Sequence, residues 1–480
     1  MLNYKDIELK IGIEIHQELS GSKLFCSCST NLKEKDQLIA FMREIRASKG
    51  ETGKLDVASL YEQGKNMKFI YYGYENEFCL LDCDEEPPGE INQQALKTAL
   101  GVAKTLKLQI PHVIEVMRKI ITDGSAVSGF QRSAQIGHGT EKSIIKTSNG
   151  DVRIKDLYLE EDAAKIIKKE KDKTFYSLSR LGIPLLEIGT QPDIKTPEQA
   201  KEVASYLGMF LRSFQLTKRG LGTIRQDVSL SIKSGARIEL KGVQDLRNIP
   251  KIIEIEVNRQ LSIIKEGKKI EPCVRKINPD LTSTYLRPLP GAARIYPETD
   301  VPTIEINEDL LYKIKTQELI IDKTSKLEEN YNLSKELANE IVKEDKIKLF
   351  ENFCNKFKNL TPGIIAHILI EKPKEIKSKF NVTTEKLNDE VFSLILENLN
   401  SGKISKNSVI DILLDYIKTE KLDFDRYKTI NKEDLEKEIK DTIEKNKDLS
   451  FGALMGIIMN KFKGTVDGKL ASELINKYKK

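Results

Sequence analysis

The chain lacks the features that mark membrane, secreted and disulfide-rich proteins. Its longest uninterrupted apolar stretch, near FGALMGIIM, is far shorter than the ~20 residues that a membrane-spanning helix needs. The charged N-terminus MLNYKDIELK contains no apolar signal core. Six cysteines among 480 residues are too few for a disulfide scaffold. These absences predict a cytoplasmic protein with no membrane span, whose cysteines are free thiols or metal ligands.

Common catalytic motifs are also missing. There is no GxxxxGK[ST] phosphate loop, and the nearest string, GETGKL, lacks both the spacing and the hydroxyl. GxGxxG after a strand, GxSxG, the protein-kinase motifs and a glycine- and serine-rich amidase signature are absent too. Any phosphate or amide chemistry in this protein must therefore use another set of residues.

Bulk charge does not indicate a nucleic-acid-binding protein, because 78 basic residues are nearly balanced by 73 acidic ones. The last twenty residues differ, with 6 Lys against 2 acidic side chains. A basic end of this kind can neutralise nucleic-acid phosphates. The alternative is a solvated, lysine-rich helix end.

The sequence pattern changes near residue 305. Before it, short alternating segments are separated by Gly, Pro, Asp and Ser, which is typical of a β-rich domain with a few helices. One of those helices is predicted to start at Thr196, an N-cap followed by Pro197 and by Gln199 in the capping-box position. After residue 305, apolar residues recur three and four apart, the helical period. The predicted fold class is α+β, with a β-rich domain over 1–305 followed by helices.

Acidic residues and one histidine gather in four strand-like segments. Carboxylate oxygens with a single imidazole suit Mg²⁺ or Mn²⁺, the ions that hold nucleotide phosphates during transfer. Each segment alone is weak evidence, since a lone histidine on a strand is more often structural and acidic residues before a helix often interact with its dipole. The segments contain Glu14, His16 and Glu18; Glu160, Glu161 and Asp162; Glu187 and Asp193; and Asp227 and Glu239.

A β-hairpin is predicted for residues 220–246, where apolar residues alternate on both sides of the turn KSGA. The other face of this hairpin carries Arg225, Asp227, Glu239 and Lys241. An ordinary solvated sheet face could also show this mixture of charges.

The segment MRKIITDGSAVSGFQRS combines basic residues with a loop of small residues. Arg118, Lys119 and Arg132 flank the loop, which contains Asp123 and Ser125. Backbone amides beside two or three cations can cradle an anion. The alternative is an ordinary turn with basic residues on the surface.

Four cysteines form two close pairs, Cys26 with Cys28 and Cys79 with Cys83. Four thiolates suit a tetrahedral Zn²⁺, but CxC and CxxxC are less diagnostic than two CxxC knuckles. Four buried thiols are the alternative.

Taken together, these segments resemble a known family. The strings that carry the resemblance run in order along nearly the whole chain, and they include KIGIEIHQEL, LFCSC, MRKIITDGSAVSGFQR, LEEDAAK, SLSRLGIPLLEIGTQPDI and RPLPGAARIYPETDVP. They are similar to the B/E family of tRNA-dependent amidotransferase subunits. Their residues resemble the archaeal E type more than the bacterial B type.

The resemblance implies an ATP-dependent enzyme that converts misacylated Glu-tRNA(Gln) to Gln-tRNA(Gln) through a γ-glutamyl phosphate. It also implies roles for residues at matching positions. The implied catalytic residues and Mg²⁺ or Mn²⁺ ligands are Glu14, His16, Glu161 and Glu187. The implied residues for ATP or substrate binding are Arg118, Lys119, Asp123, Ser125, Arg225, Asp227 and Lys241.

The ammonia must come from elsewhere, since the chain has no amidase or asparaginase signature. The resemblance to the E type implies a hetero-oligomer with an asparaginase-like D-type subunit. The alternatives are a bacterial-type complex, with an A-type amidase subunit and a small C-type subunit, or a tRNA-binding scaffold without catalysis.

The chain departs from the E type between the hairpin and RPLPGAARIYPETD. Typical members carry an aspartyl-tRNA-synthetase-like insertion there, and only a short stretch stands at that place here. The C-terminal string FGALMGIIMNKFKGTVDGKLASELI is similar to the helical tail of the family. The resemblance thus divides the helical part into a domain over 306–413 and a tRNA-binding tail over 414–480.

Overall fold

The structure is a computed structural model that describes residues 3–291, 294–314, 316–428, 432–446, 449–461 and 468–478. The chain forms two compact units, Met1–Glu318 and Leu319–Lys480. Strands dominate the first unit and helices the second, so the predicted α+β class is confirmed.

The strands belong to the first unit. They are β1 (Lys10–Glu18), β2 (Gln37–Arg43), β3 (Lys68–Tyr74), β4 (Val113–Ile114), β5 (Val116–Ile120), β6 (Phe130–His138), β7 (Ile144–Thr147), β8 (Gly150–Glu161), β9 (Lys165–Lys169), β10 (Lys173–Ser177), β11 (Pro184–Thr190), β12 (Ile224–Ser231), β13 (Ile238–Val243), β14 (Cys273–Ile277), β15 (Ser283–Pro288), β16 (Ile295–Pro297) and β17 (Ile304–Glu305).

Three sheets result from these strands in the described part of the chain. The large sheet has eleven strands, in the order β15-β14-β13-β12-β1-β11-β8-β6-β5-β16, with β7 paired to β8. A smaller sheet has the order β2-β3-β10-β9, and β17 pairs with β4. β12 and β13 pair antiparallel, so the predicted hairpin is confirmed.

Two helices pack against the centre of the large sheet: α3 against β1, and α2 against β6 and β8. On β1, the side chains of Ile11, Ile13 and Ile15 are buried to 0–1% exposure. Burying each of them stabilises the fold by about 2 kcal/mol. Successive side chains of a strand point to opposite faces, so Glu14 and His16 project from the face that these isoleucines leave free.

The helices of the first unit are α1 (Val57–Gln63), α2 (Gln93–Thr105), α3 (Pro197–Leu211), α4 (Ile249–Lys265) and α5 (Glu308–Lys313).

Helix α3 begins where the sequence predicts. The hydroxyl of Thr196 accepts a hydrogen bond of 3.2 Å from the backbone N–H of Gln199, and Pro197 is the first helical residue. This cap satisfies one of the amide groups that the first turn of a helix leaves without a partner.

The small sheet holds the loop between β5 and β6 in place. The hydroxyl of Tyr71 donates to the carbonyl of Gly124 at 2.7 Å, and that of Tyr176 to the carbonyl of Asp123 at 2.8 Å. Gly124 has a φ of +83°, and a Cβ at this position would lie 2.2 Å from Cδ1 of Phe69. The loop therefore needs glycine both for its backbone conformation and for its close packing on the sheet.

The second unit is helical. Its helices are α6 (Ile320–Tyr331), α7 (Lys335–Lys343), α8 (Ile347–Lys356), α9 (Pro362–Ala366), α10 (Lys372–Phe380), α11 (Asp389–Asn400), α12 (Val409–Thr419), α13 (Lys432–Lys445), α14 (Phe451–Lys461) and α15 (Gly468–Tyr478). A π-helical turn, His367–Glu371, joins α9 to α10.

Two apolar cores stabilise this unit. One extends from Leu327 to Tyr427, and the other joins α13, α14 and α15 through residues such as Leu435, Ile458 and Leu474. Helix α12 crosses residue 413 and contributes to the first core. The domain limits at 305 and 413 stay predictions. Searching the described residues for a helix with the length and apolarity of a membrane span finds none.

We predict that Gly124→Ala lowers the free energy of unfolding by about 3 kcal/mol, because the new methyl group clashes with Phe69 and the backbone is strained. Gly150→Ala is the matched control, since Gly150 also has a positive φ, +106°, but nothing lies within 4 Å of a Cβ there. It is expected to cost about 1 kcal/mol from backbone strain alone. Urea unfolding of both variants measures the difference, and equal losses would contradict the packing argument.

Candidate active site

The charged face of the large sheet borders a cavity of about 450 Å³. The loop between β5 and β6 and the first turn of α1 complete its wall. Carboxylates and one imidazole provide groups that can bind a metal, and lysines and arginines provide positive charge. The first set includes Glu14, His16, Glu160, Asp162, Glu187, Asp227 and Glu239, and the second includes Lys119, Arg225, Arg237, Lys241, Arg287 and Arg294.

One acidic cluster joins three neighbouring strands. β1 and β11 pair so that His16 stands opposite Glu187, and Nε2 of His16 lies 3.2 Å from Oε2 of Glu187. Glu160 of β8 completes the cluster, in which one ligand atom from each residue lies within 4.8 Å of the others. The carboxylate of Glu160 also accepts hydrogen bonds from Lys119 at 2.7 Å and from Ser133 at 2.8 Å.

The neighbouring charged groups determine the protonation of His16 and Glu187. Burial alone would raise the pKa of Glu187, but Lys119 and His16 outweigh it and hold this pKa well below its usual range. Burial likewise opposes the charged form of His16, yet the hydrogen bond and the charge of Glu187 raise the pKa of the imidazole. The two side chains therefore form a partly buried ion pair.

A second acidic cluster contains Glu14, Asp227 and Glu239, again with ligand atoms within 4.8 Å of one another. Lys241 binds two of them, Asp227 at 2.7 Å and Glu239 at 2.8 Å. The carboxylate of Glu14 has no hydrogen-bond or ion-pair partner among the residues that the structure describes. Burial, followed by the charges of Glu187 and Glu239, raises the pKa of Glu14 to about 7. An unpaired carboxylate that faces other carboxylates in this way is a position that a cation would stabilise.

The donor sets of the two clusters fit hard divalent cations. They offer carboxylate oxygens and one imidazole nitrogen, which Mg²⁺ and Mn²⁺ accept. Both clusters open into the same cavity, so the arrangement suits chemistry on a phosphate-bearing ligand.

Comparison with known proteins identifies the family of this chain. Residues 9–312 match the GatB/GatE catalytic domain, and residues 348–478 match the GatB domain. The chain belongs to the GatB/GatE family. Its GatB/GatE relatives include the E-type subunit of glutamyl-tRNA(Gln) amidotransferase from Methanocaldococcus jannaschii, which is 34% identical over 99% of each chain. The corresponding subunit from Archaeoglobus fulgidus is 33% identical over 99% of each chain, and that from Saccharolobus solfataricus is 32% identical over 99% of this chain and 98% of the relative.

The comparison also bears on the missing insertion. The alignment with the Methanocaldococcus jannaschii protein spans 627 positions against the 480 residues of this chain, a difference of 147. Together, that many positions are as many as a domain contains. The difference agrees with the prediction that this GatB/GatE chain lacks an insertion domain.

The structure brings most of the predicted GatB/GatE site residues to the cavity, but Glu161 is not among those that line it. Its carboxylate accepts a hydrogen bond from the backbone N–H of Arg132 at 3.1 Å and lies 3.4 Å from the Arg132 guanidinium. The neighbouring Glu160 stands in the acidic cluster instead, because adjacent residues of β8 point to opposite faces.

Arg118 and Lys119 differ in the same way. Lys119 lines the cavity, whereas Arg118 bonds to Glu298 and, at 3.0 Å, to Asp300 outside that lining. The other residues predicted to bind ATP or substrate all line the cavity: Asp123, Ser125, Arg225, Asp227 and Lys241. Arg237, Arg287 and Arg294 also line the cavity. No role was predicted for them, although Arg287 and Arg294 lie in RPLPGAARIYPETDVP, one of the strings that carry the family resemblance.

Three of the four cysteines predicted to bind zinc lie close together. One ligand atom each from Cys26, Cys28, Cys79 and Asp82 lies within 4.8 Å of the others. Cys83, the predicted fourth ligand, is instead buried in an apolar cluster with Phe69 and Tyr71. Hydrogen bonds from Cys26 and Cys28 hold the pKa of Cys79 well below its usual range, which favours a thiolate, the form that binds metals. Asp82 also accepts a hydrogen bond from the buried Lys23 at 2.9 Å.

We predict that Glu160→Gln weakens Mn²⁺ binding at least tenfold, because the amide removes a charged ligand from the first acidic cluster. Glu161→Gln is the matched control. It should leave the affinity within about twofold and lower the free energy of unfolding by about 1–2 kcal/mol through its weaker contact with Arg132. Calorimetric titration with MnCl₂ measures both variants. Loss of binding in Glu161→Gln but not in Glu160→Gln would instead make Glu161 the ligand.

Proposed function

We propose that this chain is the amide-forming subunit that converts Glu-tRNA(Gln) to Gln-tRNA(Gln) with ATP. The names of its relatives support the substrate, since they are described as subunits of glutamyl-tRNA(Gln) amidotransferase. The observation that carries the chemistry is the pair of acidic clusters in one cavity, the second of which contains the unpaired Glu14.

Two sets of residues would hold the divalent cations, His16, Glu160 and Glu187 in one and Glu14, Asp227 and Glu239 in the other. Bound Mg²⁺ or Mn²⁺ would offset the charge of the phosphates during transfer. Glu161, which the family resemblance implies as a ligand, is replaced by Glu160 in this proposal.

The reaction needs two transfers in the same cavity. An oxygen of the substrate carboxylate forms a bond to the γ-phosphorus of ATP, and ADP leaves with the electron pair of the broken P–O bond. Ammonia then bonds to the acyl carbon and loses a proton, and phosphate leaves with the electron pair of the C–O bond. A free carboxylate resists this attack because it has no good leaving group, which explains the need for ATP.

Lysines of the cavity serve the phosphoryl transfer. Burial opposes the charge of Lys119 and of Lys241, but Glu160 raises the pKa of the first, and Asp227 and Glu239 raise that of the second. Both therefore stay cationic at neutral pH and can orient the phosphates and offset their charge. Arg225 is held at 2.8 Å by Asp162, which fixes a third cation at the edge of the cavity.

Ammonia would come from a partner protein. We propose an asparaginase-like D-type subunit as this partner in a hetero-oligomer, and a cytoplasmic location for the assembly. A bacterial-type complex with an amidase partner remains the alternative. The tail over 414–480, with its lysine-rich end, is proposed to contact tRNA phosphates.

We further propose a structural Zn²⁺ bound by Cys26, Cys28 and Cys79. Three thiolates provide the soft ligands that zinc prefers, and the carboxylate of Asp82 stands within reach as the fourth.

We predict that Glu14→Gln lowers the rate of amide formation at least a hundredfold, because it removes a carboxylate that would hold a cation in the second cluster. Glu141→Gln, at an exposed site outside the cavity lining, is the control and should retain the full rate. The assay follows Gln-tRNA(Gln) with ATP and ammonium chloride, which makes it independent of a partner. An undiminished rate in Glu14→Gln would contradict the metal assignment, and no amide from the unmodified protein would favour the non-catalytic scaffold.

We predict that the purified protein contains about one zinc ion per chain and that the double variant Cys26→Ser, Cys28→Ser loses it, because a hydroxyl is a poor ligand for zinc. Cys83→Ser should retain the metal, since Cys83 lies in the apolar cluster. Elemental analysis by mass spectrometry measures the content. Retention by the double variant, or loss by Cys83→Ser alone, would rule out this ligand set.

A further inference from the structure

Two polar residues of strand β6, Gln131 and Ser133, face the first acidic cluster, and the proposed reaction gives them no role. Ser133 stands opposite Glu160 in the pairing of β6 with β8, and Gln131 stands opposite Lys119 in the pairing of β6 with β5. Residues two apart on a strand share a face, and residues that pair across two antiparallel strands lie side by side. Gln131, Ser133 and Lys119 are therefore on the side of the sheet that carries the Glu160 carboxylate.

All three residues donate hydrogen bonds to this carboxylate. Oε1 of Glu160 accepts from Nζ of Lys119 at 2.7 Å and from the hydroxyl of Ser133 at 2.8 Å. Oε2 accepts from the side-chain amide of Gln131 at 3.0 Å. A carboxylate offers about four acceptor sites, shared equally between its oxygens. The three donors in the described part of the chain therefore leave one site, and it is on Oε2.

The side-chain amide of Gln131 has one favourable orientation. Its nitrogen donates to Oε2 of Glu160 and, at 2.7 Å, to the main-chain carbonyl of Glu161. Both partners are acceptors, so a rotated amide would place its own oxygen against two other oxygens. Because the second bond reaches the backbone of β8, Gln131 holds the Glu160 carboxylate relative to the strand that carries it.

Contacts on the other face of β6 keep this strand in place against β8. Arg132 points to that face, and its guanidinium donates to the buried Glu298 at 2.7 Å. The backbone N–H of Arg132 donates to the Glu161 carboxylate at 3.1 Å. The donors on the cavity side of β6 therefore belong to a strand that is held from both faces.

We propose that Gln131 and Ser133 are positioning residues that orient Glu160 to bind a divalent cation through one oxygen, Oε2. The free site on Oε2 binds the cation, and the three donors prevent the carboxylate from turning to offer both oxygens. Hydrogen bonds of this kind orient the ligands of a metal and contribute to its affinity. This inference rests on the proposed function, because the cation belongs to that reaction.

The test titrates the purified protein with MnCl₂ by calorimetry, so it does not depend on amide formation. Gln131→Met removes the amide but keeps the length of the side chain. Ser133→Ala removes only a hydroxyl, and it tests the same carboxylate should Gln131→Met fail to fold. Gln135→Met is the matched control, because Gln135 lies on the same strand and donates to another carboxylate of β8, that of Asp156, at 2.9 Å, but does not line the cavity.

The proposal predicts a Kd for Mn²⁺ about tenfold higher in Gln131→Met and about threefold higher in Ser133→Ala, with Gln135→Met within about twofold of the unmodified protein. Each of the first two variants is also combined with Glu160→Gln. Because both residues act through the Glu160 carboxylate, their effects should shrink to within about twofold in the Glu160→Gln background.

The proposal would be overturned by an Mn²⁺ affinity that is unchanged in both Gln131→Met and Ser133→Ala. Losses of the same size in the Glu160→Gln background, or an equal loss in Gln135→Met, would overturn it too. If the unmodified protein binds no Mn²⁺, the cation sites of the proposed function fail, and this inference fails with them. The predicted pattern of Mn²⁺ binding without amide formation would instead refute the proposed function alone.

Discussion

Strand β1 runs through the middle of the large sheet, and the alternation of its side chains determines where everything else can lie. Its isoleucines occupy the face against which α3 packs, so Glu14 and His16 must point to the other face. Pairing with β11 and β12 then sets His16 opposite Glu187 and Glu14 opposite Asp227. A shift of one residue in this register would bury the acidic groups in the apolar core, which makes the register strongly specified.

Once one face of a sheet carries so many carboxylates, their mutual repulsion has to be balanced. Lys119 and Lys241 provide part of that balance from inside the protein, each bonded to cluster carboxylates. The pairing is incomplete, because Glu14, Arg287 and Arg294 form no direct ion pair with any residue in the described part of the chain. Opposite charges left without direct partners in one cavity agree with the proposed function, in which a nucleotide phosphate arrives with its divalent cation.

Much of this arrangement follows from the sequence. The apolar alternation of KIGIEIHQ predicts which residues of β1 share a face, and the capping signal at Thr196 predicts the start of α3. The hairpin of β12 and β13 is equally local, since its turn and its alternation lie within one segment. Patterns of this kind are decided by neighbours in the chain, so a single sequence contains the information.

The differences between expectation and structure share a physical cause. In LEEDAAK and MRKII, two adjacent residues have similar chemistry, and a strand sends one of them to each face. Glu161 reaches Arg132 and Glu160 reaches the cavity, a choice made by the partner on β6 rather than by the local sequence. The exposure of Arg287 and Arg294 to the cavity is harder still to predict. Whether an arginine forms an ion pair depends on which side chains distant strands bring next to it. Residue chemistry thus predicts which segments form a functional site. It predicts the individual residues only when the face to which each strand residue points is known.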